Sequence, residues 1–190
     1  NFCFSKDELI SDFLFKFSTR KLGSAYLCNK LYRRDILLDK LIFDCEWRLD
    51  VGEDILVNFC AFARADKVSL VSDVLYSYRQ NSLSVTKQIN REKAFVDLLC
   101  SYCQCISNCL CFGDDVLNCI DTYFNVQFNF RCYRVSDIGK LKPYKKRIAE
   151  ALELLSRVRP EAIWYLMGVL NGQSIKSYSF GMSFIRKIFR

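Results

Sequence analysis

A chain of 190 residues is long enough for one domain, or for one and a half. Hydrophobic residues make up 51% of it and aromatic residues 15%, which excludes a globally disordered protein because that much apolar surface can build a core. With only 7 glycines and 2 prolines, the composition argues against a loop-rich or sandwich architecture and predicts mostly helices with a few strands.

The net charge of +7 is unevenly placed. Residues 140–190 hold 11 Lys or Arg against 3 Asp or Glu, so the rest of the chain is close to neutral. A surface for nucleic acid would spread its basic residues more widely and would carry a recognition motif, so we expect no nucleic-acid partner. A basic end that also contains aromatic residues suggests an anionic surface, with a membrane as the first candidate.

Membrane insertion and secretion are not indicated by the sequence. No apolar run approaches the roughly 18 to 20 residues that span a bilayer, and the longest candidate is 162–170. The segment Asn1-Phe2-Cys3-Phe4 lacks an initiator methionine, a basic region and a cleavage site, so it does not read as a signal peptide. We expect instead a chain cut from a longer protein.

The first predicted element is a helix over 5–20. Ser5 is a candidate N-cap, Glu8 stands three residues later as in a capping box, and apolar residues follow at helical spacing. Gly23 is expected to stop this helix. The apolar stretch 24–31 is predicted to be a short strand, and Phe43 and Trp47 are predicted to be core anchors in the mixed stretch that follows.

The middle of the chain is predicted to contain one helix and two strands. Residues 53–65 place Ile55, Leu56, Phe59, Cys60 and Ala63 on one side of a helix. Residues 67–72 and 74–79 are predicted strands, and 80–86 is a polar loop.

Helices are predicted to dominate beyond residue 88. The predicted ranges are 90–111, 115–133, 143–157 and 160–170, with Asp114 as an N-cap and Pro160 in a first turn. The last segment, 174–190, is predicted to be a short basic amphipathic helix. It packs back on the domain or docks on a membrane surface, and the sequence does not choose between these. The change in composition divides the chain into 1–88 and 89–190.

The 11 cysteines, in a chain without histidine, form their densest group at 100–111. A zinc site usually takes ligands from two separated C-x-x-C pairs, whereas the single pair here lies in a helical stretch. We therefore expect these cysteines to fill the core, and we keep a Cys-rich metal-binding regulator as a weaker hypothesis. So many thiols without a secretory signal fit a reducing, cytoplasmic compartment. The lack of histidine excludes histidine-based catalytic triads.

Glu53 and Asp54 are the candidate catalytic residues. They follow Gly52, which permits a sharp turn, and they open a helix whose dipole favours acids in its first turn. This places a carboxylate at a loop-to-helix junction that a substrate can reach. Helix capping alone is the competing interpretation of the pair.

Three motifs that occur in order along the chain favour the catalytic interpretation of this pair. They are Asn29-Lys30-Leu31-Tyr32-Arg33-Arg34, then Gly52-Glu53-Asp54 with Phe59, then Leu75-Tyr76-Ser77-Tyr78-Arg79 with Ser82, Ser84 and Thr86. Over about residues 22–88 this order resembles the second half of a bacterial family-2 glycosyltransferase of the capsular or surface-polysaccharide type. The resemblance implies the C-terminal half of a helix-rich α/β A-type glycosyltransferase (Rossmann-like) fold, the acceptor-side part of the catalytic domain, followed by a helical extension.

The resemblance also implies roles for individual residues. Asp54 would be the general base of an inverting transfer of a sugar from a nucleotide-sugar donor to a glycan or lipid-linked acceptor. Glu53 would position the loop or bind the acceptor. Lys30, Arg79, Tyr78 and Ser84 would bind substrate, with the two cations offsetting negative charge. For Lys30 a solvated basic turn, for Tyr78 a core position and for Arg79 a structural ion pair are the competing interpretations.

The sequence departs from this family at its metal and nucleotide motifs. The chain has no D-x-D motif and no glycine-rich phosphate loop. The full-length enzyme is therefore expected to bind Mg²⁺ or Mn²⁺ and the donor through an upstream half, and this chain alone is expected to bind no metal and to be inactive. Its expected location is cytoplasmic, peripheral to the inner membrane face. The alternative hypothesis is a non-enzymatic, membrane-associated helical interaction module.

Overall fold

The computed structural model describes residues 2–39, 44–77, 79, 90–128, 135, 138–163 and 166. Helices dominate them, as the composition predicted. Strand β1 (Phe2–Ser5) leads into α1, which runs through Lys6–Glu8, a π-helical stretch Leu9–Leu14 and Phe15–Ser18. There follow α2 (Arg34–Leu37), α3 (Glu53–Arg64), β2 (Lys67–Leu70), α4 (Arg91–Cys109), α5 (Asp114–Phe128) and α6 (Lys145–Val158). Short 3₁₀ helices lie at Leu27–Asn29, Leu110–Phe112 and Ile138–Tyr144.

The predicted N-terminal helix is confirmed, and its ends have local causes. The Glu8 carboxylate accepts hydrogen bonds from the Ser5 backbone N–H at 3.0 Å and from the Ser5 hydroxyl at 2.9 Å. At the other end Arg20 adopts a left-handed φ of 59°. The Arg20 N–H bonds to the Phe17 carbonyl and the Lys21 N–H to the Lys16 carbonyl, which is the Schellman pattern. Arg20, rather than the expected Gly23, therefore ends the helix.

The described sheet has two antiparallel strands. β1 pairs with β2 in the register Phe2 to Leu70 and Ser5 to Lys67. The predicted strand at 67–72 is confirmed for 67–70, but its partner is the N-terminal segment, for which no strand was predicted. No parallel sheet occurs among the described residues.

Two other strand predictions were wrong for the described residues. The stretch 24–31 contains the 3₁₀ turn Leu27–Asn29 and no strand. Residues 74–77 and 79 are not extended into a sheet, and Val74 and Leu75 are 94% and 79% exposed. Apolar runs this short do not distinguish a strand from an irregular segment, because only tertiary pairing decides between them.

The core lies between α1, α3, α4, α5 and α6, with α4 in the middle in contact with α3, α5 and α6. An aromatic cluster joins α1, α3 and α5 through Phe13, Phe17, Phe59, Phe62 and Tyr123, with ring centroids 4.9–6.1 Å apart. Burying one such ring contributes about 2–3 kcal/mol. This core contains residues from both sides of residue 88.

The predicted C-terminal helices are confirmed where they are described. α4, α5 and α6 match the described parts of the predicted helices 90–111, 115–133 and 143–157 to within a few residues, and a further helix begins at Pro160. Asp114 is the first residue of α5 rather than its N-cap. The predicted amphipathic segment 174–190, the anchor Phe43 and residues 129–133 lie outside the described residues.

One helix has the dimensions of a membrane span, contrary to the sequence-based expectation. Arg91–Phe112 is 22 residues long with a mean hydropathy of 1.4 in its most apolar window. However, 78% of that window is buried inside the protein, so its apolar side chains are already covered by α3, α5 and α6. Its length and composition are those of a core helix as much as of a membrane span.

Candidate functional site

The Glu53-Asp54 pair opens α3, as predicted, and Gly52 makes the junction. Gly52 has a left-handed φ of 92°, and its carbonyl accepts the first helical hydrogen bond from the Leu56 N–H at 3.0 Å. A Cβ atom at Gly52 would lie 2.8 Å from Ser101 Cβ on α4. Both the backbone conformation and the space therefore require glycine here.

The turn before the acids is tied to α4. The Ser101 hydroxyl donates to the Gly52 carbonyl at 2.6 Å, and the Asp50 backbone N–H donates to Asp97 Oδ2 at 3.0 Å. Ser101 and Asp97 lie one turn apart on α4, so a single helix face holds both ends of the turn. The position of Glu53 and Asp54 is thereby fixed relative to the core.

A buried ionic network completes this anchor. Asp97 is fully buried; its Oδ2 accepts from Lys93 Nζ at 2.9 Å and its Oδ1 lies 2.8 Å from Arg147 Nη2 on α6. Lys93 also binds Asp50 Oδ2 at 2.6 Å, and Arg147 donates to the Arg48 carbonyl at 2.9 Å. This network was not predicted from the sequence. Its one sequence signal is a lone acid, Asp97, inside the apolar run Phe95–Leu99, four residues after a lysine.

Both candidate catalytic acids have a raised pKa. For Asp54 the largest cause is burial, which raises its pKa. The Leu27 backbone N–H and the charge of Lys30 lower the pKa, but by less. Burial also raises the pKa of Glu53, and the charges of Asp54, Asp50 and Asp97 act in the same direction. The helix dipole would favour the ionised form at this position. At both acids burial therefore outweighs the helix dipole, and partly desolvated acids of this kind are candidates for a functional site.

The first motif lies against this helix start. Lys30 interacts electrostatically with Asp54, and burial lowers the pKa of Lys30 to about 8. The Tyr32 hydroxyl donates to Asn58 Oδ1 at 2.9 Å, and burial, followed by the charge of Asp54, raises the Tyr32 pKa. Asn58 is four residues after Asp54 on α3 and is fully buried. The structure thus brings the first and second motifs together.

The third motif is not placed at the site by the described residues. Arg79 is exposed, Tyr76 is 47% exposed, and no contact of Arg79 with the first two motifs is seen. Tyr78 and Ser84 lie outside the described residues. The substrate-binding roles of Arg79, Tyr78 and Ser84 therefore stay predictions.

Arg33 of the first motif belongs to a different surface. It forms an ion pair with Asp35 at 2.6 Å, and both side chains are mostly exposed. The pair borders a cavity of about 280 Å³. Its walls are Arg33, Asp35, Ile36, Asp39, Arg64, Asp66 and Lys67. Arg64 ends α3, ten residues after Asp54, so this cavity begins about 15 Å along the helix from the candidate base.

The cysteines of α4 pack in the core, as predicted, except for the one beyond its end. Cys100, Cys103, Cys105 and Cys109 are buried, whereas Cys111 is exposed. Burial raises the pKa of Cys100 to about 12, which keeps its thiol protonated. Among the described residues no group of three or more His, Cys, Asp or Glu is arranged to hold a metal ion.

Comparison of the chain with protein-family models, with curated proteins and with solved structures gives no match.

Proposed function

We propose that this chain is the acceptor-side portion of an inverting glycosyltransferase of the family-2 type. The proposal is supported by one observation above all. Lys30, Tyr32 and the Glu53-Asp54 pair are separated in sequence but meet at one helix start, where both acids have a raised pKa. Two of the three motifs, which are about 20 residues apart in the sequence, therefore lie together at the start of α3.

In the proposed reaction Asp54 acts as the general base. Its carboxylate accepts the proton of an acceptor hydroxyl as that oxygen attacks the anomeric carbon of the donor sugar. The bond from this carbon to the diphosphate breaks, the nucleoside diphosphate leaves, and the configuration at the carbon inverts. A raised pKa suits a base for a weakly acidic hydroxyl, provided that Asp54 is still ionised at the working pH.

Glu53 has the complementary role of orienting the acceptor. It is the more exposed of the two acids and adjoins Asp54 at the helix start. A carboxylate accepts hydrogen bonds from sugar hydroxyls, so Glu53 can bind an acceptor hydroxyl while Asp54 removes the proton. Arg79, Tyr78 and Ser84 are proposed to bind substrate from the segment after β2.

The remaining parts of the proposal concern the full-length enzyme. A Rossmann-like A-type fold would be completed by a donor-binding half that this sequence does not contain. That half would hold the nucleotide sugar and the Mg²⁺ or Mn²⁺. The acceptor is a glycan or a lipid-linked glycan of a surface polysaccharide, made at the cytoplasmic face of the membrane, and the basic segment 174–190 is proposed to contact that membrane.

The decisive experiment is Asp54→Asn in the full-length enzyme, with radiolabelled nucleotide-sugar donors and transfer to cell-envelope acceptors as the assay. We expect transfer to fall by about 10²- to 10⁴-fold, the range for loss of a general base. Donor binding, measured by calorimetry, should be unchanged because Asp54 acts on the acceptor.

Asp35→Asn is the matched control, since it also neutralises an acid near the first motif but lies in an exposed ion pair with Arg33. It should leave transfer unchanged. Full transfer by Asp54→Asn would remove Asp54 from its proposed role and contradict the proposed function.

A non-enzymatic helical interaction module is the second candidate. It is favoured by large apolar side chains that face solvent, among them Leu31, Val74 and Leu75, which are 103%, 94% and 79% exposed. Exposed apolar side chains in such number are typical of protein contacts when they form one patch. Absence of transfer by the full-length protein, together with capture of a protein partner, would favour this candidate.

A further inference from the structure

The loop 24–30 is organised around the ammonium group of Lys30. Nζ donates hydrogen bonds to the carbonyl oxygens of Ser24 and Tyr26, the latter at 2.6 Å, and to Asn29 Oδ1 at 2.9 Å. An ammonium group has three N–H donors. All of them are therefore used within the loop, and a donor phosphate would have to displace one of these acceptors.

Two other contacts close the same loop. Asn29 Nδ2 donates to the Ser24 hydroxyl at 2.9 Å, and the Lys30 N–H donates to the Leu27 carbonyl at 3.1 Å. The 3₁₀ turn Leu27–Asn29 lies between them. In this arrangement the Leu27 backbone N–H acts on the Asp54 carboxylate and lowers its pKa.

Asn58 ties the loop to α3. Its Nδ2 donates to the Ala25 carbonyl and to the Asp54 carbonyl, each at 2.6 Å, and its Oδ1 accepts from the Tyr32 hydroxyl at 2.9 Å. The side chain is fully buried, and its amide nitrogen and oxygen are both bonded. A buried amide with these partners links residues 25, 32 and 54 at one point.

We infer that Lys30 and Asn58 are positioning residues, which hold the loop 24–29 against the first turn of α3 and thereby fix the Asp54 carboxylate. This inference rests on the proposed function, because it assigns these residues to the reaction of Asp54. It gives Lys30 a different role from the one the resemblance implies. The ammonium orders the loop beside the base and does not bind the donor diphosphate.

NMR of the 190-residue chain tests whether the loop holds the Leu27 N–H beside the Asp54 carboxylate. In the wild-type chain the Leu27 amide proton should shift with the same midpoint as the Asp54 carboxyl carbon during a pH titration. Lys30→Met and Asn58→Ala should each reduce the Leu27 shift by at least half. Lys67→Met, which removes an exposed lysine beyond the far end of α3, should leave it unchanged.

Tyr32→Phe is the milder variant if Lys30→Met or Asn58→Ala does not fold, because it removes only the hydroxyl that donates to Asn58. A smaller reduction of the Leu27 shift is expected for it. An unchanged Leu27 response in every folded variant would overturn the inference.

Kinetics of the full-length enzyme separate positioning from donor binding. Lys30→Met should lower kcat by roughly 100-fold, the cost of misplacing a catalytic group, and should change the donor KM by less than about twofold. In an Asp54→Asn background it should cause no further loss, since the residue acts through Asp54. A raised donor KM with unchanged kcat would overturn the inference and return Lys30 to the donor site.

The two proposals fail in different ways. Full activity of Asp54→Asn would contradict the proposed function, even if the Leu27 amide follows Asp54 and depends on Lys30. Loss of activity in Asp54→Asn, with a Leu27 amide that does not depend on Lys30 or Asn58, would contradict only the positioning inference.

Discussion

Asp97 and Asp54 are two acids on either side of one turn, and they differ in what surrounds them. Asp97 is fully buried and has Lys93, Arg147 and the Asp50 backbone N–H around its two oxygens. Asp54 is half-buried and burial raises its pKa, with only the Leu27 N–H and the charge of Lys30 to lower it. Asp97 is therefore surrounded by groups that compensate its negative charge, whereas Asp54 has few such groups.

This difference separates an acid that holds the structure, Asp97, from Asp54, the acid that we propose as a general base. Breaking the contacts of a buried carboxylate with two cations is strongly destabilising, and burial keeps such a carboxylate away from a substrate. A partly desolvated carboxylate with few partners destabilises the fold slightly and can accept a proton. The network of Asp97 also fixes the turn that carries Asp54, so the structural acid makes the placement of the other one possible.

The largest expected effect comes from removing the structural acid. Asp97→Ala leaves Lys93 and Arg147 without their buried partner and frees the Asp50 N–H, so we expect a loss of about 3–5 kcal/mol in the free energy of unfolding. Urea denaturation followed by circular dichroism measures this loss.

Asp35→Ala is the control for that measurement, because its ion pair with Arg33 is exposed. Its expected effect is below about 1 kcal/mol. Similar losses for Asp97→Ala and Asp35→Ala would show that the Asp97 network does not anchor the turn.

The next largest loss of stability is expected from a substitution at Gly52, in the turn between the two acids. Gly52→Ala forces a residue with a Cβ into a left-handed conformation, at about 1–2 kcal/mol, and brings that Cβ to 2.8 Å from Ser101 Cβ. The overlap adds about 1–3 kcal/mol, so we expect a total loss of roughly 3 kcal/mol by the same denaturation assay.

Gly23→Ala is the glycine control. Gly23 also has a positive φ, of 73°, but a Cβ there would make only an ordinary van der Waals contact, 3.6 Å from Phe17 Cδ2. Only the conformational cost of about 1–2 kcal/mol should appear. If the two alanine variants lose equal stability, the close packing of the turn on α4 contributes nothing.

The smallest expected effect is a gain in stability rather than a loss, and it comes from replacing the candidate base, Asp54. Since the pKa of Asp54 is raised in the folded protein, the unfolded chain ionises first as the pH rises above the ordinary value of 3.8. Stability is then lost through this window and stays lost at neutral pH. Asp54→Asn should therefore be more stable than the wild type at pH 7, by up to about 1 kcal/mol.

Thermal unfolding at several pH values checks this sign. The difference in Tm between Asp54→Asn and the wild type should grow from pH 4 upward and then level off. A variant that is less stable at pH 7 would make Asp54 a structural acid like Asp97 and would remove the contrast between them.

Much of the helical structure was predictable because its signals are local. The capping pair Ser5 and Glu8, the apolar spacing after Glu53 and Pro160 all act within one or two turns. The strands were not predictable in the same way. The partner of β2 lies more than 60 residues away, at Phe2–Ser5, and short apolar runs such as 74–77 form a strand only where an edge is available to them.

The candidate site was predictable in part. The position of Glu53 and Asp54 at a helix start followed from Gly52 and the periodicity of α3. The bonds of Lys30 within its own loop, and those of Asn58 to three different segments, did not. Asn58 looks in the sequence like any polar residue of an amphipathic helix, and only its burial shows that it links the motifs.

The sequence by itself determined where the long helices lie and that an acidic pair opens α3, because capping and periodicity are properties of neighbouring residues. The tertiary structure decided which acid is buried between two cations and which is half-buried with few partners. That outcome depends on cations and N–H groups contributed from elsewhere in the chain, as Lys93 and Arg147 are for Asp97. The sequence shows that both residues are aspartates, whereas their burial and their partners, which differ, are set by the tertiary structure.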